Sequence, residues 1–285
     1  MIRIYLDTRD LIILAERQSE EYLSAVRKWL DECKGYLVFS LSNILECCTP
    51  LSVPNGQSSV MRTLSKLETL PHVYLAEAKI HRDEIISAIT SFSATEDYRS
   101  IDPYVDRFDQ VLSPFQTPAT SIHLKYGLAE TVFDVWQAKP DLFSGDSKHS
   151  QILAASRQSD RGRPDFRRHN KNFSEYVRRT LIQFSISFPD KKITDLANWI
   201  WNSTTRCPSM RLGYEVYHQI LRNISDAQAE SDIGDLTHIG CIPYVDAITL
   251  DRRMRGYVNQ ADVAFKSRYN CKVFSNFDEL QTQMS

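Results

Sequence analysis

The acids that can do chemistry in this chain stand beside element boundaries. Asp7 follows Ile2-Arg3-Ile4-Tyr5-Leu6, a strand-type run, and Asp251 follows Val245-Asp246-Ala247-Ile248-Thr249-Leu250, an apolar run of buried parallel-strand type. Open parallel sheets place their chemistry beyond the carboxyl ends of their strands, so both carboxylates are site candidates. Upstream of the second run, the first half of Ser231–Asp251 starts a helix. Ser231 or Asp232 can cap its amides, Asp232 and Asp235 sit in a first turn where the dipole favours negative charge, and Asp235, His238 and Ile239 share one face. Pro243 ends that element. A helix opening on an acid and a strand closing on one bring two distant carboxylates to one sheet edge.

Elements that would position these groups are legible at both ends of the chain. After the first strand, Leu23, Val26, Trp29, Leu30 and Cys33 form a helical stripe, Gly35 ends it, and Tyr36-Leu37-Val38-Phe39 is a second strand. This βαβ unit predicts a right-handed crossover and a parallel pair. Asp7 can also simply cap the turn Asp7-Thr8-Arg9-Asp10. Asn43 and Glu46 have capping-box spacing, while the alternative puts Glu46 on the first turn of a helix, facing the strand ends and Asp7. Pro50 to Gln57 reads as a loop, Val60, Leu64 and Leu67 as a short helix, and Leu70–Leu75 as a strand. From Ala76 to about Arg206 the pattern is helical throughout, with stripes such as Phe173, Tyr176, Val177 and Leu181, or Ile193, Leu196, Ala197, Ile200 and Trp201; such aromatics suit a core. The α/β pattern resumes with the helical face Met210, Tyr214, Tyr217 and Leu221, and ends with the strand Cys271–Phe274 and a helix from Phe277.

Composition narrows the class. The 285 residues suffice for a sheet core, and 34 basic against 36 acidic residues leave a net charge of −2, so no bulk charge announces a partner. The six cysteines lack CxxC or Cys/His spacing and suit a reducing cytosol; charges interrupt every long apolar run, so a soluble cytoplasmic protein away from membranes is expected. One run departs from neutrality. Arg157, Arg161, Arg163, Arg167, Arg168, Lys171, Arg178 and Arg179 outnumber Asp160, Asp165 and Glu175, with His169, Phe166 and Phe173 interleaved. A solvated surface explains such a run, and so does contact with a nucleic-acid backbone, to which Arg252 could contribute.

Asp7, Glu46, Asp235 and Asp251, in that order, resemble the acidic quartet of PIN-like nucleases. The string D-x-x-H-x-x-x-x-P-Y-x-D-x-x-x-x-D, filled by Asp235, His238, Pro243, Tyr244, Asp246 and Asp251, is similar to that of bacterial PIN-like proteins, and Cys207-Pro208-Ser209 fits the same group. The resemblance covers residues 1–75 and 206–285, leaving 76–205 unmatched. It implies a three-layer α/β/α fold with a central parallel sheet, a PIN-like core from those two segments, and a large helical insertion at 76–205. It implies a metal-dependent endonuclease, acting on RNA rather than DNA, that holds Mg²⁺ or Mn²⁺ on Asp7, Glu46, Asp235 and Asp251. Converging carboxylates repel unless a cation neutralises them, and hard oxygen ligands suit these ions. A bound ion would activate water for in-line phosphodiester hydrolysis.

Around such a site Asp232 is a cap or an accessory ligand, His238 orients a carboxylate, and Ser40 and Asn43 are polar helpers or caps. Arg163, Arg167, Arg168, Lys171 and Arg252 are the expected nucleic-acid contacts, and a protein partner or homo-oligomer is also compatible. Asp246 should stand at the opposite sheet edge, because five residues of strand span about 16 Å. Two alternatives remain: a non-catalytic PIN-like module binding RNA or protein, and a haloacid-dehalogenase-type phosphatase, which Arg9 disfavours by replacing the second acid of its D-x-D motif.

Overall fold

The computed structural model describes residues 1–16, 19–52, 56–112, 127–138, 169–223, 232–265 and 269–284. Six strands form one sheet: β1 (Ile2–Tyr5), β2 (Gly35–Ser40), β3 (His72–Leu75), β4 (Tyr104–Val105), β5 (Ala247–Thr249) and β6 (Lys272–Phe274). Their spatial order is β4-β3-β2-β1-β5-β6. Every pairing is parallel except β3 with β4, which is antiparallel. Residues 76–205, expected to be helical throughout, therefore contribute an edge strand. Two residues of pairing are too short to imprint a period of two on the sequence.

The register explains the layers. Ile4 lies opposite Leu37 and Ala247, and Tyr5 opposite Val38 and Ile248, so alternate residues leave opposite faces of the sheet. Ile4, Leu37, Phe39, Tyr74 and Ala247 belong to one core cluster, Tyr5, Val38, Leu75 and Ile248 to another. Helices cover the first face: α1 (Thr8–Glu16), α2 (Glu20–Glu32), α3 (Leu41–Cys47), α4 (Gly56–Glu68), α6 (Phe108–Leu112), α7 (Leu128–Ala138) and α13 (Phe277–Met284). The second face packs on α10 (Pro208–Arg222), α11 (Asp232–Ile239) and α12 (Arg252–Phe265). The fold is thus α/β, with a mostly parallel central sheet and helices on both faces. Each fully buried large apolar side chain contributes about 1.5–3 kcal/mol.

A third cluster joins α5 (Glu77–Ala94), α8 (His169–Gln183), α9 (Asp190–Trp201) and α10, with Phe173 5.0 Å from the Trp201 ring and 5.2 Å from Tyr214. The helical stripes expected for residues 173–201 close on one another there. The turn expected at Asp7–Asp10 is instead the start of α1, which buries Leu11, Leu14 and Ala15. Gly35 opens β2 because a Cβ there would lie 2.9 Å from Cys33 Sγ and 3.1 Å from Ile4 Cδ1. The six cysteines are free, and no helix among the described residues is long and apolar enough to cross a membrane.

Most of the basic run (Arg157, Arg161, Arg163, Arg167, Arg168) and Ser231 lie outside the described residues, as do the side chains of Lys171 and Asp232. Of the rest, Arg178 pairs with Asp190 at 2.5 Å and Arg179 with Glu175 at 3.3 Å.

Candidate acidic site at the carboxyl edge of the sheet

Strand order reverses between β1 and β5, which creates a crevice at their carboxyl ends. Asp7 leaves β1 there, Glu46 sits on the helix that leaves β2, and Asp251 follows β5. Three neighbouring strands thus deliver an acid to one edge. The junctions are tied together by backbone and hydroxyl groups: Asp7 N donates to Thr249 Oγ1 at 2.8 Å, and Asn43 Nδ2 donates to Leu6 O at 3.1 Å.

Local capping differs from the sequence expectation. The capping box of α3 is Ser40 with Asn43, not Asn43 with Glu46. β2 runs through Ser40, so the helix begins at Leu41 and Glu46 falls in its second turn, one turn later than expected. Asp7 accepts from Arg9 N at 3.3 Å and also caps α1. Asp251 Oδ1 accepts from Met254 N at 2.7 Å at the start of α12, where a cap contributes about 0.5–2 kcal/mol.

His238 organises the centre. Its Nε2 lies 3.3 and 3.4 Å from the two oxygens of Glu46, and its Nδ1 lies 2.5 Å from Tyr5 OH. Tyr5 OH is 2.8 Å from Ser40 Oγ, which is 3.2 Å from Asn43 Oδ1. With the ring doubly protonated, Nε2–H donates to Glu46, Nδ1–H to Tyr5, and the hydroxyls donate onward to Ser40 and Asn43. Thr8 Oγ1 adds a 2.5 Å bond to Glu46. The His238 side chain is 4% exposed and that of Glu46 42%, so the carboxylate meets solvent with the imidazole behind it.

The electrostatics separate the two acids. Burial pushes the Asp7 carboxyl above the ordinary range, and this outweighs the pull of His238. Burial acts on Glu46 in the same sense, but the bond and charge of His238, with Thr8, bring its carboxyl below the ordinary value. For His238, burial opposes charging, and Glu46, Glu77 and Asp7 reverse that, so its pKa is raised.

Asp235 is half-buried on α11, one turn before His238. Asp246 is exposed at the opposite end of β5 from Asp251, where its Oδ2 accepts from Arg3 N at 2.8 Å. Among the described residues no three His, Cys, Asp or Glu side chains are grouped as a metal ion would need. Glu46 faces His238 and Thr8, and Asp251 holds a helix amide through Oδ1. His238 is the basic group that stands beside Glu46 and Asp7, and both acids raise its pKa.

Sequence reasoning missed Tyr5, Thr8, Thr249 and Glu77. Glu77 follows β3 as Asp7 follows β1, accepts from Ser42 N at 2.6 Å and helps raise the His238 pKa. The acid two residues after a strand was its available signal. Glu84 was missed too. It is fully buried and accepts from Tyr244 OH at 2.6 Å, Ser209 N at 2.8 Å and Met210 N at 3.0 Å. Cys207 Sγ donates to its carbonyl at 3.4 Å. The Pro-Tyr and Cys-Pro-Ser pieces of the sequence pattern therefore meet at a buried carboxylate that ties α5 to α10.

Beside the acids, a cavity of about 510 Å³ is lined by Arg9, Tyr22, Arg252 and Asn276, with Asp10 and Asp278. Arg252 is exposed at the first position of α12, where the helix dipole disfavours a cation.

The α/β class is what the fold defines. No family model, curated protein or solved structure matches the chain.

Proposed function

We propose that the protein is a nuclease that cleaves phosphodiester bonds at this edge, in RNA rather than DNA. The observation that carries the reading is the pair Asp7 and Glu46, on neighbouring strand exits around one buried histidine, with carboxyl pKa values moved in opposite directions. Such a split suits the two carboxyls to the roles of acid and base. Glu46, ionised and solvent-facing, takes the proton of the ribose 2′-hydroxyl; the 2′-oxygen attacks phosphorus, the bond to the 5′-oxygen breaks, and Asp7 protonates the leaving oxygen. His238 holds Glu46 ionised and oriented. RNA carries this internal nucleophile and DNA does not. Arg252 and Arg9 at the adjoining cavity offer the cations a phosphate backbone requires.

Mg²⁺ or Mn²⁺ dependence remains a separate proposal. It would use the oxygens of Asp7, Glu46, Asp235 and Asp251 that face away from their present partners, and no step above passes through an ion.

The test is digestion of matched RNA and DNA strands with and without EDTA, followed by analysis of the ends. RNA cleavage leaving 2′,3′-cyclic phosphate in EDTA is expected, and Glu46→Gln or Asp7→Asn should lower the rate roughly 10²–10⁴-fold, the usual reach of one acid or base. Cleavage abolished by EDTA and extending to DNA would replace this chemistry with metal-activated water. RNA binding without cleavage would leave a non-catalytic module, and inertness toward both substrates would end the nuclease reading.

A further inference from the structure

A second cavity, of about 360 Å³, borders α11, the helix that carries His238. Glu77, His81, Gln183, Phe184, Leu236 and Thr237 are among its walls, and no Lys or Arg among the described residues lines it. A phosphate is a poor occupant, because Glu77 would repel it and none of the described walls supplies a Lys or Arg to hold it. Apart from Glu77, the polar groups are uncharged hydrogen-bonders. Burial pushes the His81 pKa down to about 4, so its ring is neutral at physiological pH, and its Nε2 lies 3.1 Å from Ser209 Oγ. The Thr237 hydroxyl and Gln183 amide can each donate and accept. Phe184 and Leu236 add apolar wall.

An occupant with apolar flat faces and a hydrogen-bonding edge matches this lining, and the volume is near the lower end for ligand sites, enough for one heteroaromatic ring system. The position links it to the acids. Thr237 directly precedes His238, and Glu77 lies at the exit of β3 on the same sheet edge.

We infer that this cavity holds one unstacked nucleobase of the strand cleaved at the acidic edge, making the substrate unpaired RNA. The inference rests on the nuclease reading. Bases can enter such a pocket only when splayed out of a stack, which single strands, loops and ends allow and duplexes resist.

The experiment measures binding of a short single-stranded oligoribonucleotide by fluorescence anisotropy, using Asp7→Asn to suppress turnover. A series carrying one abasic residue at successive positions, and the duplex, are compared with the intact strand. One register should lose about 5- to 150-fold in affinity, the range for one base held against an aromatic side chain, and the duplex should bind more weakly. Phe184→Ala and Thr237→Val should each shrink that penalty, and the exposed Gln183→Ala serves if thermal melting shows that either variant is unfolded. Equal binding of every abasic strand, or an undiminished penalty in all folded variants, overturns the base pocket while leaving cleavage by the wild type intact. A wild type that neither binds nor cleaves any strand overturns the nuclease reading and the pocket with it.

Discussion

Replacing Glu84 by Gln should flatten the pH dependence of stability. The carboxyl is fully buried, and burial raises its pKa to about 7 from the usual 4.5 despite three hydrogen-bond donors. The folded state therefore binds this proton more tightly than the unfolded chain. Its stabilising contribution is complete below pH 4.5 and is lost as pH rises through about 7. At 1.36 kcal/mol per unit, the loss is about 3 kcal/mol. Gln stays neutral across the range, so that slope disappears. A constant offset accompanies it, because Tyr244 OH, Ser209 N and Met210 N all donate and one must face the new amide group. Leaving such a donor unmatched costs about 1–3 kcal/mol at every pH. The measurement is urea unfolding of both proteins from pH 4 to pH 8, reading the difference between the two stability curves. That difference should fall with pH by about 3 kcal/mol in the direction that disfavours the wild type. Parallel curves would show that Glu84 titrates normally and that its burial is not closed to water.

Asp251→Ala should cost about 0.5–2 kcal/mol through loss of the α12 cap, whereas Asp251→Ser should restore stability. Cleavage by the Ser variant comparable to wild type would mark Asp251 as a cap, and its complete loss would mark a direct role. His238→Ala should raise the Glu46 pKa toward the ordinary value, followed by NMR titration of the carboxyl carbon, because its imidazolium partner is gone; an unmoved pKa would contradict the pairing. In the wild type, the charged His238 contributes stability present below pH 6.5 and lost as pH rises through its raised folded pKa, so the variant should be less penalised at pH 8 than at pH 5. Charge reversal at Arg163, Arg167 and Arg168 should weaken RNA binding and lower its salt slope by roughly 0.7 to 0.9 per lost phosphate contact; unchanged salt titrations would leave that run a solvated surface.

The sequence alone determined the sheet's parallel character and most of its strands, because apolar runs, the intervening helical stripe and Gly35 are local signals. It also placed Asp7 and Asp251 just beyond strands, since a strand's carboxyl end is visible from its run, and set Glu46 on the helix after β2 one turn too early. Tertiary structure decided what those acids face. His238 lies 192 residues from Glu46 in the chain, and no period or spacing announces that its imidazole stands behind that carboxylate. Glu84 and Ser209 are 125 residues apart, and only packing of α5 on α10 brings carboxyl and amide together. β4 escaped because two antiparallel residues at an edge take their conformation from β3 rather than from their own side chains. Strand ends follow from local chemistry, whereas protonation and partnership depend on which distant groups packing buries beside them.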